Sequence, residues 1–359
     1  LVSRRAVPDG DSMVTLAFVR LEGNRLVRSG MEATSPQQPL WPSSSPLHAV
    51  WPDKVLYFDS SLGLQHATRF STNELFTSDQ WGYAVYRKTG TGIDIHSAQG
   101  EKLATHTASA WPRAVGSPAW LLLYTGDQAG LAFVDRKTGA QAGPYQQLAS
   151  LITSAALADG EQAVVFGMVD GSLEKFSIRD AKTLWRKQPP EGQLAVVKGL
   201  AVDQNGESIL VVSGSRPETM TRYSGSGTLI WSTPTGGDLR TQIMVHASRR
   251  HAASQTARGL VLFDLENGDI TRHLEPGLPS GARVTWTSFA ETGSGEIHAS
   301  VSAGAYTAVY HLDQNGNTKN CTILPTPWAE ISLADKASHI IALATADGVS
   351  ISRHLESAP

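Results

Sequence analysis

One phrase returns along the chain. An apolar run meets a turn of small residues, Gly or Asp, a second apolar run follows, and a polar turn centred on Gly leads into a further extended segment. Residues 164–185, VVFGMVDGSLEKFSIRDAKTLW, carry it in full, with Asp170-Gly171 as a two-residue type I′ hairpin signal. Further copies start at Leu121 (LLLYTGDQAGLAFVDRKTGAQ), Ala253 (ASQTARGLVLFDLENGDI), Ser300 (SVSAGAYTAVYHLDQNGNT) and Ile340 (IIALATADGVSISRH). The second turn is marked by Gly23, Gly63, Gly100, Gly139, Ala181, Gly227, Gly268 and Gly316, at steps of 40, 37, 39, 42, 46, 41 and 48 residues.

A repeat of this length, made of four short strands, has the period of a propeller blade. One twisted sheet cannot bury both of its faces until neighbouring sheets pack on them, and a ring of sheets does so. From Gly100 to Gly316 five steps cover 216 residues, about 43 each, and 359 residues hold a little over eight such periods. The expected fold is therefore all-β: a single β-propeller domain over residues 1–359, of eight four-stranded blades, with seven the alternative. Residues 338–354 read as the inner and third strands of a last blade lacking its outer strand. Residues 13–21, MVTLAFVRL, are a strand left over at the other end, so these N- and C-terminal strands are expected to pair and close the ring. Residues 31–47, MEATSPQQPLWPSSSPL, interrupt the pattern with Pro and Ser and form a candidate recognition insertion. Helical periodicity is almost absent, because apolar runs of four to seven residues end at Gly, Pro or Asn-Gly.

Composition agrees with a turn-rich β protein. Charged residues make up 18%, with 33 Gly and 18 Pro. A formal charge of −3 supplies no global positive field, so nucleic acid is not expected as a partner. The longest apolar run, residues 119–124, falls far short of the ~20 residues of a membrane helix, so no direct transmembrane span is expected in the chain. A leader or anchor ahead of Leu1 is left open. The one thiol, Cys321, allows neither an internal disulfide nor a Cys-based metal cluster, and Asn320-Cys321-Thr322 matches a glycosylation acceptor in a pattern common by chance.

The phrase resembles the PQQ-like β-propeller repeat, with WD40-like propellers sharing its Gly-Asp turns. The matching residues are Phe58-Asp59 with Gly63, Val134-Asp135 with Gly139, Phe263-Asp264 with Gly268, and the trailing Trp185 and Trp231. His96, Ser177, Ser224 and His311 replace the strand-end Asp in other copies. Structurally, that Asp is expected to accept hydrogen bonds from turn amides, the Gly to take a positive φ, and the Trp to cover the gap between blades. The resemblance implies the non-catalytic, BamB-like scaffold branch. The quinoprotein dehydrogenases of the family hold their cofactor with a vicinal Cys pair, which one cysteine cannot supply.

Local catalytic signatures are missing: there is no G-x-S-x-G, Walker A, H-E-x-x-H or strand-linked G-x-G-x-x-G. No catalytic residue, cofactor or metal ligand is assigned, and none of the eleven His stands at metal-ligand spacing in the sequence. The oxygen-rich segments 264–269 and 313–317 fall on hairpin turns and read as turn chemistry rather than Ca²⁺ loops. His246 and His251 bracket Arg249 and Arg250 in a small basic patch where a strand-to-strand turn belongs. Trp41, Trp51 and Trp111 each precede Pro and are held extended, which suits buried packing at crossings between blades; exposed together with residues 187–193 and 276–281, they would instead form an aromatic and apolar patch for a partner. Trp41, Trp111, Arg249 and Arg250 are the candidate partner-binding residues. What the resemblance implies is a non-enzymatic scaffold for protein partners in an extracytoplasmic or membrane-associated assembly. The alternatives are an enzyme or small-ligand binder with a polar site on the central axis, and an ectodomain or subunit of a membrane complex.

Overall fold

The computed structural model describes residues 2–6, 12–22, 25–35, 48–51, 54–58, 64–79, 82–88, 92–107, 112–116, 119–125, 130–141, 146–189, 195–203, 206–214, 218–235, 239–245, 250–277, 284–292, 294–325, 329–333, 340–345 and 348–353. Among them the chain is all-β apart from one 3-10 turn, Asp159–Glu161. Nine antiparallel sheets follow one another in sequence, spanning residues 2–35, 48–69, 74–107, 112–147, 152–187, 197–234, 239–274, 284–324 and 329–353. The third to eighth have four strands, each hydrogen-bonded to its sequence neighbour, and the first, second and ninth have three. The chain divides into two compact units, one of Arg4–Ile152 and Ile178–Ala181, the other of Leu1–Ser3, Thr153–Ser177 and Lys182–Pro359.

Burial explains why the apolar runs are continuous rather than alternating. In the fifth sheet all of Ala163–Met168 and all of Leu173–Ser177 are buried, whereas the outer strand Lys182–Lys187 is mostly exposed. The eighth sheet repeats this, with Ile297–Ala303 fully buried and Thr318–Leu324 almost wholly exposed. Such strands are covered on both faces, as stacked sheets require. In the larger unit Val165 and Leu173 pack on Val197, Ile209 and Val211 of the sixth sheet. The other faces of that sheet, through Leu210, Val212 and Met220, meet Ala252, Val261 and Phe263 of the seventh. Leu260 and Leu262 then meet Phe289, Ile297 and Ala299 of the eighth, and Ala290 meets Ile331 of the ninth. In the smaller unit Val55 and Tyr57 pack on Tyr83 and Val85, and Ala84 and Ile95 on Leu121 and Leu123.

Turn chemistry follows the expected lines at most positions. Asp135 Oδ1 accepts the amides of Lys137 and Thr138, Asp264 Oδ1 that of Glu266, and Asp313 Oδ1 those of Asn315 and Asn317. The marker glycines at 100, 139, 227, 268 and 316 all take positive φ, and Ala181 adopts +49° in the same place. Gly23 and Gly63 lie outside the described residues. The turn at Asp170-Gly171 differs from the expectation: only Gly171 has positive φ, at +82°, so it is not type I′. Three residues separate Met168 from Ser172, and Asp170 Oδ1 holds the Ser172 amide at 3.0 Å. That bond keeps Asp170 in the ordinary region and leaves the left-handed position to glycine, the three-residue hairpin form.

The termini also depart from the expectation. Ser12–Glu22 pairs over its length with Arg25–Ser35, Glu22 standing opposite Arg25. Among the described residues no ladder joins it to the C-terminal strands. A two-residue connection closes this hairpin locally, at far lower entropic cost than pairing across the whole chain. Met31–Ser35, read as the start of the insertion, belongs to that strand, and residues 36–47 lie outside the described residues. Among the described residues the ninth sheet is three-stranded, Ala329–Leu333, Ile340–Thr345 and Gly348–Arg353 in order, so Ile340–Thr345 is its middle strand and not the inner one that the sequence suggested.

Candidate interaction surface and side-chain clusters

The trailing tryptophans belong to the contacts between sheets. Trp185 Nε1 donates to Gly225 O at 3.1 Å, and Trp231 Nε1 to Leu265 O at 2.8 Å, each reaching the hairpin turn of the next sheet. A basic side chain directly across the ladder joins each one. Lys175, paired with Trp185, donates to the same Gly225 carbonyl at 3.0 Å and to Asp159 at 2.7 Å. Arg222, paired with Trp231, donates to Leu265 O and, at 2.8 Å, to Ser208 Oγ. One carbonyl thus takes two donors, one of them charged, in a buried setting where such bonds are strong. The sequence reading saw the Trp and missed its basic partner, whose signal is a Lys or Arg facing it across the hairpin. In the smaller unit histidines take the place of Trp: the His66 ring abuts Gly100, and His106 Nε2 donates to Gly139 O at 2.9 Å.

Of the residues proposed for partner binding, Trp41, Trp111 and Arg249 lie outside the described residues. Arg250 is exposed, but its Nε donates to Asp264 Oδ2 at 2.9 Å and its amide to Glu291. Burial pushes the Asp264 carboxyl up, yet the bond and charge of Arg250 and the turn amides outweigh it and hold the pKa below the usual value. His251 is buried, and its amide donates to Glu291 Oε2 at 3.0 Å. Glu291, from the eighth sheet, therefore clips the start of the seventh sheet's second strand, and this basic segment is tied to carboxylates.

The exposed apolar side chains lie elsewhere. Leu184, Leu229 and Ile230, 45%, 56% and 44% exposed, sit on the outer strands Lys182–Lys187 and Leu229–Pro234 of successive sheets. Trp185 next to Leu184 packs on Gly227, two residues before Leu229, so the Trp–turn contact lies between them. Among the described residues no strand pairs with the outer side of Lys182–Lys187 or of Leu229–Pro234, and an unpaired strand edge can receive a further strand.

Two clusters of titratable side chains stand out. In the smaller unit the Tyr83 ring stacks on His96 at 4.6 Å and on His66 at 5.9 Å. Burial lowers the pKa of both histidines, although the Gly100 carbonyl pulls His96 back up in part. In the larger unit Glu296, His298 and His311 place their ligand atoms within 4.8 Å of one another. His298 and His311, thirteen positions apart in sequence, stand directly opposite each other across the hairpin, with rings stacked at 4.5 Å. Spacing along the chain gave no hint of this. Register across the hairpin is the signal that finds it.

No family model matches the chain, and neither does any curated protein. Among solved structures, the computationally designed Ika8 protein is similar over 87% of this chain and 94% of its own, with TM-score 0.60 and 15% identity. BamB from Moraxella catarrhalis is similar over 86% of this chain and 90% of its own, with TM-score 0.55 and 12% identity. At these identities the likeness is one of fold alone: a propeller-like all-β architecture.

Proposed function

We propose that this chain is a non-enzymatic propeller scaffold that binds protein partners in an extracytoplasmic or membrane-associated assembly. This reading takes the successive sheets as the blades of a ring. The fold likeness to BamB motivates the scaffold role and the compartment. The observation that carries the binding role is the pair of open outer edges bearing Leu184, Leu229 and Ile230. Apolar side chains beside unpaired backbone groups favour a partner that adds an extended segment, with main-chain bonds giving affinity and side-chain contacts giving choice. No helix among the described residues is long and apolar enough to cross a membrane.

The test is a pull-down from native extract with the full chain as bait, repeated with Leu184→Lys/Ile230→Lys and with residues 36–47 deleted, the part of the Pro/Ser-rich segment that follows the strand Arg25–Ser35. A partner retained by the parent and by the deletion variant, but lost on the lysine variant, is the expected result. Retention of the same partner by the lysine variant would remove the outer edges from the account.

A further inference from the structure

We propose that Glu296, His298 and His311 form a binding site for a divalent transition-metal ion of the zinc class. The three residues sit at one end of the eighth sheet. Glu296 immediately precedes the strand Ile297–Ala303, His298 is that strand's second residue, and His311 lies near the end of its antiparallel partner Tyr306–Leu312. In a strand, residues two apart share a face, and the residue directly opposite in the ladder shares it too. The pairing His298↔His311 therefore brings all three side chains to one side of the sheet, on rigid backbone.

The geometry suits a metal. All three ligand atoms lie within 4.8 Å of one another, and His311 Nε2 is 3.6 Å from Glu296 Oε2. Four-coordinate zinc with bonds of ~2.0–2.1 Å separates its ligand atoms by about 3.4 Å, so small side-chain rotations complete the site. The parallel imidazoles, 4.5 Å apart and inclined by 10°, can turn their nitrogen edges towards one ion.

The donor set decides the class. Two imidazole nitrogens and one carboxylate match zinc, nickel, cobalt or copper, whereas calcium and magnesium demand oxygen. His298 is buried, while the side chains of His311 and Glu296 are 24% and 22% exposed, which gives the ion a path in and leaves a position for water. Lys319 bonds Glu296 Oε1 and so leaves Oε2 on the histidine side. Its ammonium competes with the metal for the carboxylate charge.

The experiment is isothermal titration of chelator-washed full chain, without an affinity tag, with Zn²⁺. Co²⁺ then reports through its visible absorption on a four-coordinate nitrogen–oxygen site. One equivalent should bind with a dissociation constant at or below about 10 μM, as is ordinary for a three-ligand site with no preformed fourth donor. His311→Ala and Glu296→Gln, both partly exposed positions, should each weaken it at least tenfold with unchanged circular dichroism, and Lys319→Met should tighten it. Absence of stoichiometric binding overturns the proposal. So does one-equivalent binding that survives both His311→Ala and Glu296→Gln, since the ion then sits elsewhere; loss with His311→Ala alone overturns the carboxylate's part.

Discussion

Gly268 offers the sharpest test of how successive sheets are joined. It takes φ +79° at the turn against which Trp231 packs, and a Cβ there would stand 2.5 Å from Trp231 Cδ2, 2.7 Å from Cε3 and 2.9 Å from Thr233 Oγ1. Gly268→Ala therefore has two costs. The left-handed conformation costs a non-glycine residue about 1–2 kcal/mol. The clash displaces an indole that is 8% exposed, stacks on Phe263 at 6.5 Å and donates to Leu265 O at 2.8 Å. Losing that buried bond and part of the ring's packing adds roughly 2 kcal/mol. Stiffening of the unfolded chain returns about 0.5–1 kcal/mol. The net loss is about 3 kcal/mol.

Gly304→Ala supplies the control, because Gly304 has φ +60° with nothing within 4 Å of an added Cβ, so only the backbone cost applies, about 1 kcal/mol net. Urea unfolding followed by tryptophan fluorescence and circular dichroism reads both as midpoint shifts at constant slope. In a Trp231→Ala background the cost of Gly268→Ala should fall towards that of Gly304→Ala, since the two residues couple directly. Equal costs for the two glycines in the parent, or no coupling to Trp231, would refute the packing of tryptophan on the neighbouring turn.

The other predictions concern charge. Arg250→Ala should cost no more than about 1 kcal/mol at pH 7, since the guanidinium is 56% exposed, and the loss should shrink in high salt. Asp264 has a depressed pKa in the folded state, so its stabilisation is present above about pH 4 and lost as pH falls through the folded value. Acid unfolding curves of parent and variant should therefore converge below that range; a gap independent of pH would contradict the ion pair. His66 and His96 take up protons less readily when folded, so stability is full above pH 6.5 and is lost as pH falls below it, where the unfolded chain protonates first. His96→Phe, which keeps the ring stacked on Tyr83, should lessen the fall in urea midpoint between pH 7.5 and 5.5. An unchanged fall would place the acid sensitivity elsewhere.

Much of the architecture could be read from residues because the repeat is built from local chemistry. Asp135, Asp264 and Asp313 bond turn amides a few positions on, and the glycines that follow hold the left-handed corner, so hairpin positions are visible in a short window. Continuous runs such as VVFGM mark strands covered on both faces. The turn at Asp170 was misread because its side chain, rather than backbone conformation at both corners, decides the turn type. Terminal pairing follows from counting strands, whereas both edges of Ser12–Glu22 are taken by segments close in sequence, Val2–Ala6 and Arg25–Ser35. The Glu296, His298 and His311 cluster and the Lys175 and Arg222 clamps depend on ladder register. A bulge between Lys175 and Phe176, and another between Arg222 and Tyr223, shift that register in ways that apolar pattern alone does not encode.

The claim on which the scaffold reading rests is that the sheets close into a ring. With Cys321 replaced by Ser and spin labels at residues 15 and 350, pulsed electron resonance measures the separation of the first and last sheets directly. Sheets stacked face to face at ~10 Å spacing would hold the ends of an open row of nine roughly 80 Å apart, whereas a ring brings them within about 25 Å. A single narrow population near the shorter distance is the predicted result; a population beyond about 50 Å contradicts the ring.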